Sequence, residues 1–244
     1  MDPGIALTAV AKTYPDATVA LAPLDLTVGP GELVTIVGPS GCGKSTLLRI
    51  IAGLTAPTSG SVAVDRGDVG YVFQDPTLLP WRTVRRNVEL LGELHRVPAQ
   101  SRRDAASSAI RTVGLAGTED KYPRSLSGGM RMRVSLARAL TMRPGVFLFD
   151  EPFGALDEIT RQRLNDELLR LFEAEGFAGV FVTHSIAEAV FLGTRILVMS
   201  EAPGRVVLDR PVPFPSPRSP ELRYDARFAG LCGDISAALR QDRP

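Results

Sequence analysis

An α/β fold around a buried, largely parallel sheet is predicted by three features of the chain. Short continuous apolar runs at 33–37, 69–73, 146–149, 180–182 and 196–199 alternate with segments of helical periodicity, as expected for strands covered on both faces. Between the first run and a helical pattern stands Gly38-Pro39-Ser40-Gly41-Cys42-Gly43-Lys44-Ser45-Thr46. Three further runs end on polar groups: Gln74, Asp150-Glu151 and Thr183-His184. Ligands of open α/β sheets bind at the carboxyl ends of the strands, so these endings point to one shared site.

The glycine-rich stretch has the G-x-x-x-x-G-K-[ST] spacing of a phosphate-binding loop. Its glycines let the backbone curl so that successive N–H groups face an anion, and the following helix adds the positive end of its dipole. Lys44 would reach the β- and γ-phosphates, and the Ser45 hydroxyl would ligate Mg²⁺. A glycine-rich turn alone says little; Lys44 and Ser45 in register, with strand and helix flanks, predict nucleoside triphosphate binding.

Composition narrows the rest. At 244 residues and 44% hydrophobic, the chain can bury a sizeable core as one large or two-lobed domain. Its 28 basic and 27 acidic residues leave no concentrated basic excess for a nucleic-acid partner. Cys42 and Cys232, the two cysteines, make neither a disulfide framework nor a metal cluster and fit a reducing cytosol. No apolar run approaches the ~20 residues of a membrane-crossing helix, and the N-terminus lacks a basic-then-apolar signal. A soluble protein is expected, one able to work beside a membrane.

In chain order, Ile5 and Leu7, then Leu24, Leu26 and Val28, alternate as half-buried strands. Gly29-Pro30-Gly31 breaks the run. Gly53 is expected to cap the helix after the loop, residues 57–60 to turn, and 61–64 to form another strand. From about 76 to 139 the pattern is mostly helical, with a polar helix over 101–113 and a stronger one over 127–140. In the latter, Met130, Val134, Ala137 and Leu140 mark a buried stripe, with Arg131 and Arg138 off it. A helix over 158–173 separates the strands at 146 and 180. Five prolines between Pro211 and Pro220 predict a stiff linker. Beyond it Tyr224, Phe228, Leu231, Ile235 and Leu239 form a helical stripe that packs on the domain or docks on a partner subunit.

Two motifs carry chemistry. The apolar strand ending in Asp150 and Glu151 places one carboxylate to hold Mg²⁺, commonly through water, and its neighbour to orient the attacking water. Ser127, Gly128 and Gly129 open an amphipathic helix and make a second anion site from the Ser127 hydroxyl and helix N-terminal amides.

With Leu126-Ser127-Gly128-Gly129-Met130 in view, the chain resembles the ATP-binding subunit of an ABC transporter. Met130 replaces the usual Gln of the LSGGQ signature. The resemblance runs from Tyr14 to about Arg205. It implies a RecA-like core, an antiparallel β lobe from the N-terminal region and an inserted helical lobe at about 76–140. It also implies a nucleotide-binding domain over 1–210 and a C-terminal extension over 211–244. Tyr14 resembles the adenine-stacking aromatic, or is an ordinary surface aromatic. Gln74 resembles the glutamine that contacts Mg²⁺ and couples to the membrane subunit. Ala155-Leu156-Asp157 resembles the loop that crosses between subunits, and His184 the switch histidine at the γ-phosphate.

On that resemblance, two copies sandwich two ATP molecules, each held by the phosphate loop of one copy and Ser127-Gly128-Gly129 of the other. Transmembrane permease subunits, and indirectly a solute-binding protein, complete the assembly at the cytoplasmic face of the membrane. Residues 73–81, 151–157 and 203–205 are similar to nitrate, sulfonate and taurine importers. Ser185, where Asp commonly follows the histidine, and a short 64–69 segment depart from the pattern. Ser185 is also similar to importers of pyrimidine-type vitamin precursors. A soluble ABC protein of DNA repair or ribosomes would need coiled-coil insertions or a second cassette, and a phosphate-loop kinase would lack the second anion motif. The cluster at Leu78, Leu79, Pro80 and Trp81, followed by Arg82, Arg85 and Arg86, either receives the permease or anchors the helical lobe in its own core.

Overall fold

Strands with one apolar face and strands with two sort into different sheets. In the computed structural model, which describes residues 4–65, 69–154 and 156–241, β1 (Ile5–Thr13), β2 (Val19–Val28) and β4 (Ser59–Val64) form an antiparallel sheet in the order β2-β1-β4. The continuous apolar runs become β3 (Leu33–Val37), β5 (Val69–Val72), β6 (Val146–Asp150), β7 (Ala178–Thr183) and β8 (Arg195–Met199). They pair in parallel in the order β5-β6-β7-β3-β8, with β9 (Val206–Pro211) antiparallel at the edge. The strand β4 begins at Ser59, so the turn expected over 57–60 gives up its last two residues to the sheet.

The pleat divides the core, since successive side chains point to opposite faces. Val34 and Ile36 of β3 join Leu148, Val180 and Leu197 beneath the antiparallel lobe and α1 (Lys44–Ile51). Leu33 and Val37 face the other way, into a cluster with Phe147, Phe149 and Phe181. That second face is closed by α6 (Glu158–Glu175) and α7 (Ile186–Leu192).

The helical lobe between β5 and β6 consists of α2 (Val84–Val88), α3 (Leu90–Leu94), α4 (Ala99–Thr112) and α5 (Gly128–Leu140). Arg138 corrects the expected stripe of α5. It is buried, and its guanidinium donates to the Pro76 carbonyl at 3.0 Å, the Thr77 carbonyl at 3.1 Å and Thr77 Oγ1 at 3.1 Å. Burial holds its pKa below the ordinary arginine value. Those carbonyls lie just after Gln74, so Arg138 ties that loop to α5.

The C-terminal segment is a packed strap instead of the stiff linker expected from its prolines. Val212 and Phe214 are buried with Phe228, Leu231 and Ile235 of α8 (Ala226–Gln241). Arg218 donates to the Phe191 and Gly193 carbonyls at 2.8 and 2.9 Å, and burial lowers its pKa to about 10. The final helix therefore packs on its own domain. Tyr224 leaves the expected stripe: it ends a 3₁₀ turn and is 86% exposed. Among the described residues no helix is long and apolar enough to cross a membrane.

Candidate active site

Four neighbouring strands, β5, β6, β7 and β3, end at the same edge of the sheet, and their C-terminal residues meet there. Gly38 to Gly43 loop from β3 into α1. Gly43 sits at φ +96° with the position of a Cβ 2.6 Å from the Ala20 carbonyl, so only glycine fits this entry to the helix. A second close approach comes from residues 203–205. A Cβ on Gly204 would overlap the Cys42 carbonyl, and the Gly204 amide donates to the Ala20 carbonyl at 3.1 Å. Cys42 is buried, which pushes its thiol pKa up.

Lys44 is 6% exposed, and its ammonium donates to the Gly38 and Pro39 carbonyls, each at 2.8 Å. The charge thus lies inside the curl of the loop, where a phosphate would meet it. Ser45 Oγ donates to Asp150 Oδ1 at 2.8 Å, and Tyr71 Oη donates to Asp150 Oδ2 at 3.2 Å. A hydroxyl and a carboxylate from different elements form a hard oxygen pair suited to Mg²⁺, so these residues fit the expected ion. Thr46 Oγ1 lies 3.1 Å from Tyr14 Oη, which anchors the Tyr14 ring beside α1.

Glu151 follows at φ +46°, a left-handed conformation that costs a non-glycine residue roughly 1 kcal/mol or more. Its amide donates to the Val182 carbonyl at 3.0 Å and its carbonyl accepts from Gly154 at 3.2 Å, which holds the turn. Glu151 Oε2 lies 3.1 Å from His184 Nδ1. Ser185 caps α7 by accepting from the Glu188 amide at 3.3 Å, so the departure from Asp keeps a capping oxygen. Beneath it, Glu188 is 5% exposed and accepts a hydrogen bond from Thr183 Oγ1.

Ser127, Gly128 and Gly129 stand apart from this cluster. Ser127 caps α5, accepting from the Met130 amide at 3.2 Å, and Gly129 faces Thr160 of α6. Among the described residues no hydrogen bond joins them to the phosphate loop. Asp157 caps α6 by accepting from the Thr160 amide at 3.0 Å. Its neighbour Ala155 lies outside the described residues, as do 66–68 in the short segment before β5.

Gln74 is exposed and lines a cleft of about 460 Å³ with Leu78, Gly128, Arg131 and Leu156. Larger clefts, about 560 Å³ at the opposite end of the sheet and about 600 Å³ on the C-terminal strap, contain none of these groups. Trp81 is 71% exposed, so the core-anchor alternative is overturned. Asn87 explains the exposure: it is fully buried and bonds Leu79, Arg82 and Thr83 backbone atoms, pinning the segment outward. Arg82 is engaged within the lobe, while the Arg86 side chain stays 56% exposed. They pair with Glu93 at 2.6 and 3.5 Å, and Arg85 reaches Ser107 Oγ at 3.3 Å.

Residues 21–154, more than half of the chain, match the family model described as ABC transporter. The chain belongs to the ABC transporter family. The resemblance carried by Gly38–Thr46 and by Leu126–Met130 therefore holds, with its ATP-binding cassette fold and its ATPase activity coupled to transport. The aliphatic sulfonates import ATP-binding protein of Rhodopseudomonas palustris is 46% identical, aligned over 92% of this chain and 79% of its own length. The nitrate import ATP-binding protein of Synechococcus elongatus is 40% identical over 92% of this chain, and 36% of that longer protein is covered. A solved dimeric ATP-binding cassette in a post-hydrolysis state, bound to ADP and Pi, superposes with a TM-score of 0.77 at 35% identity. It covers 86% of this ABC chain and 99% of its own.

Two features of this ABC site escaped the sequence. Tyr71 reads as strand filler, although a phenol in an otherwise apolar strand is a signal that its tip meets something polar. Glu188 is the single acid in the short apolar helix α7, and an acid so placed is a sign of a buried partner.

Proposed function

We propose that this chain is the ATP-hydrolysing subunit of an ABC importer that energises uptake of a small solute of the nitrate, sulfonate or taurine type. The observation that carries the reading is the meeting of Lys44, Ser45, Asp150, Glu151 and His184 at one sheet edge, with a second anion motif, Ser127-Gly128-Gly129, set apart. Lys44 would exchange its Gly38 and Pro39 carbonyl partners for the β- and γ-phosphate oxygens of ATP. Ser45 and Asp150 would hold Mg²⁺, with Gln74 approaching from the loop after β5 once nucleotide is bound. That ion supplies charge neutralisation at the phosphates undergoing transfer.

Glu151 would accept a hydrogen bond from the attacking water and orient it in line with the γ-phosphate, while His184 steadies the Glu151 carboxylate and contacts that phosphate. Tyr14, fixed through Thr46, would stack on adenine. A half-site without its own phosphate loop suits a homodimer in the ATP-bound state. There Ser127, Gly128 and Gly129 of one copy meet the nucleotide on the other, and Asp157 sits on the crossing loop. The exposed Trp81 and the Gln74 cleft support docking of transmembrane permease subunits, and the protein would then work peripherally at the cytoplasmic face. A solute-binding protein would act through those subunits, and the near-neutral charge gives no role to nucleic acid.

The test is reconstitution with the native permease and its binding protein, followed by a solute screen for stimulated ATP hydrolysis. Stimulation by sulfonates, taurine or nitrate is the expected result. Stimulation by pyrimidine-type vitamin precursors alone would move the chain to that branch, and solute-independent hydrolysis without permease binding would overturn the importer reading.

A further inference from the structure

The Asp150 carboxylate is held from two sides, and only one of the holders belongs to the phosphate loop. On one side Ser45 Oγ donates to Oδ1 at 2.8 Å. On the other Tyr71 Oη donates to Oδ2 at 3.2 Å, from β5, the neighbouring strand. Asp150 is 8% exposed, so each of its oxygens requires such a donor.

We propose that Tyr71 is a positioning residue of the metal site: its hydroxyl fixes Oδ2 and thereby aims Oδ1 at the ion held with Ser45. The proposal rests on the reading that Ser45 and Asp150 hold Mg²⁺. Two further points support it. The Tyr71 ring stacks on Phe73 at 4.1 Å and 23°, which limits its rotation. The Ser45 hydroxyl has lone pairs to offer the ion as well as a proton for Oδ1, and an Asp150 with Oδ2 unheld could swing toward Ser45 or away from it. Groups that orient metal ligands in this way commonly change affinity by 10–100-fold when removed.

The arrangement also gives β5 a double task. Tyr71 holds the metal carboxylate, and three residues later, past the stacked Phe73, the strand delivers Gln74. A movement of the Gln74 loop therefore has a short, stiff route to Asp150.

Tyr71→Phe in the full chain is the test, because it keeps the ring and the Phe73 stack and removes only the hydroxyl. Mn²⁺ serves as a paramagnetic probe, titrated by EPR into ADP-loaded protein without turnover. The expected result is Mn²⁺ binding weakened by roughly tenfold, with nucleotide affinity in EDTA and melting temperature unchanged. The Mg²⁺ concentration for half-maximal ATPase should rise in parallel, with kcat at saturating Mg²⁺ changed less. Mn²⁺ affinity within twofold of wild type would overturn the proposal, and so would an equal loss of nucleotide affinity in EDTA, which would make the effect structural. Asp150→Asn is titrated alongside. If it abolishes Mn²⁺ binding while Tyr71→Phe leaves the affinity within twofold of wild type, the proposal alone fails; if it leaves Mn²⁺ binding intact, the metal reading fails and the proposal with it.

Discussion

Glu151 Oε2 and His184 Nδ1 lie 3.1 Å apart across the ends of two adjacent strands, β6 and β7. The pair joins the residue assigned to the attacking water with the one assigned to the γ-phosphate. Glu151→Gln removes the acceptor charge but preserves shape, so ATP binding should persist while turnover falls by roughly 10²–10⁴-fold. The variant should accumulate as an ATP-bound dimer by size-exclusion chromatography. Near-normal phosphate release would remove Glu151 from the mechanism.

Separation of Ser127 from the phosphate loop predicts different consequences for the two halves of the site. Lys44→Ala should weaken nucleotide binding to the monomer. Ser127→Arg should spare it and abolish ATP-driven dimerisation, because the arginine would occupy the face presented to the other copy. Calorimetry on monomers and light scattering with ATP separate these effects. Equal loss of monomer binding in the two variants would contradict a shared site.

Trp81 is held outward by Asn87 and contributes little to its own core. Trp81→Ala should therefore change stability by about 0.5 kcal/mol or less, with basal ATP binding intact. Co-purification with the permease and solute-stimulated hydrolysis should both be lost. Retained co-purification would place the docking surface elsewhere.

Stability should carry a pH signature from Glu188. Burial raises its pKa, against smaller opposing effects of Thr183, Asn165, Arg161 and His184, so the folded state keeps a proton that the unfolded chain releases. That contribution is complete below the unfolded pKa and is lost as pH rises from the ordinary carboxylate range through the raised value. Glu188→Gln cannot titrate, and its stability relative to wild type should improve as pH rises from 4 to 8. Urea midpoints across that range measure the difference, and parallel profiles for the two proteins would exclude a titrating Glu188.

Much of this was legible because strand burial and phosphate chemistry leave local marks. Runs such as Leu33–Val37 declare strands covered on both faces, and Gly43-Lys44-Ser45 tolerates few other uses. Ser127 was recognisable as a helix cap from its own neighbourhood. Arg138 was not, because helical periodicity registers hydrophobicity and is blind to the demand of the Pro76 and Thr77 carbonyls for a donor. The strap at 211–220 was misread for a related reason. Proline frequency suggested a spacer, while the alternating Val212 and Phe214 were the apolar anchors. Arg82 finds Glu93 from the turn before α2, across eleven residues and the near-continuous α2 and α3, a pairing that the reading of the segment as a partner surface passed over.

Arg218 closes the C-terminal carbonyls of α7, the helix that starts two residues after His184. Domains emerge from the ribosome N-terminus first, so the phosphate loop, the signature helix and the switch histidine are all synthesised before the residue that completes α7. Until residue 218 has left the exit tunnel, those helix-end carbonyls lack their native donor. A nascent chain paused at residue 210 would hold every proposed catalytic group yet present an unfinished support behind His184.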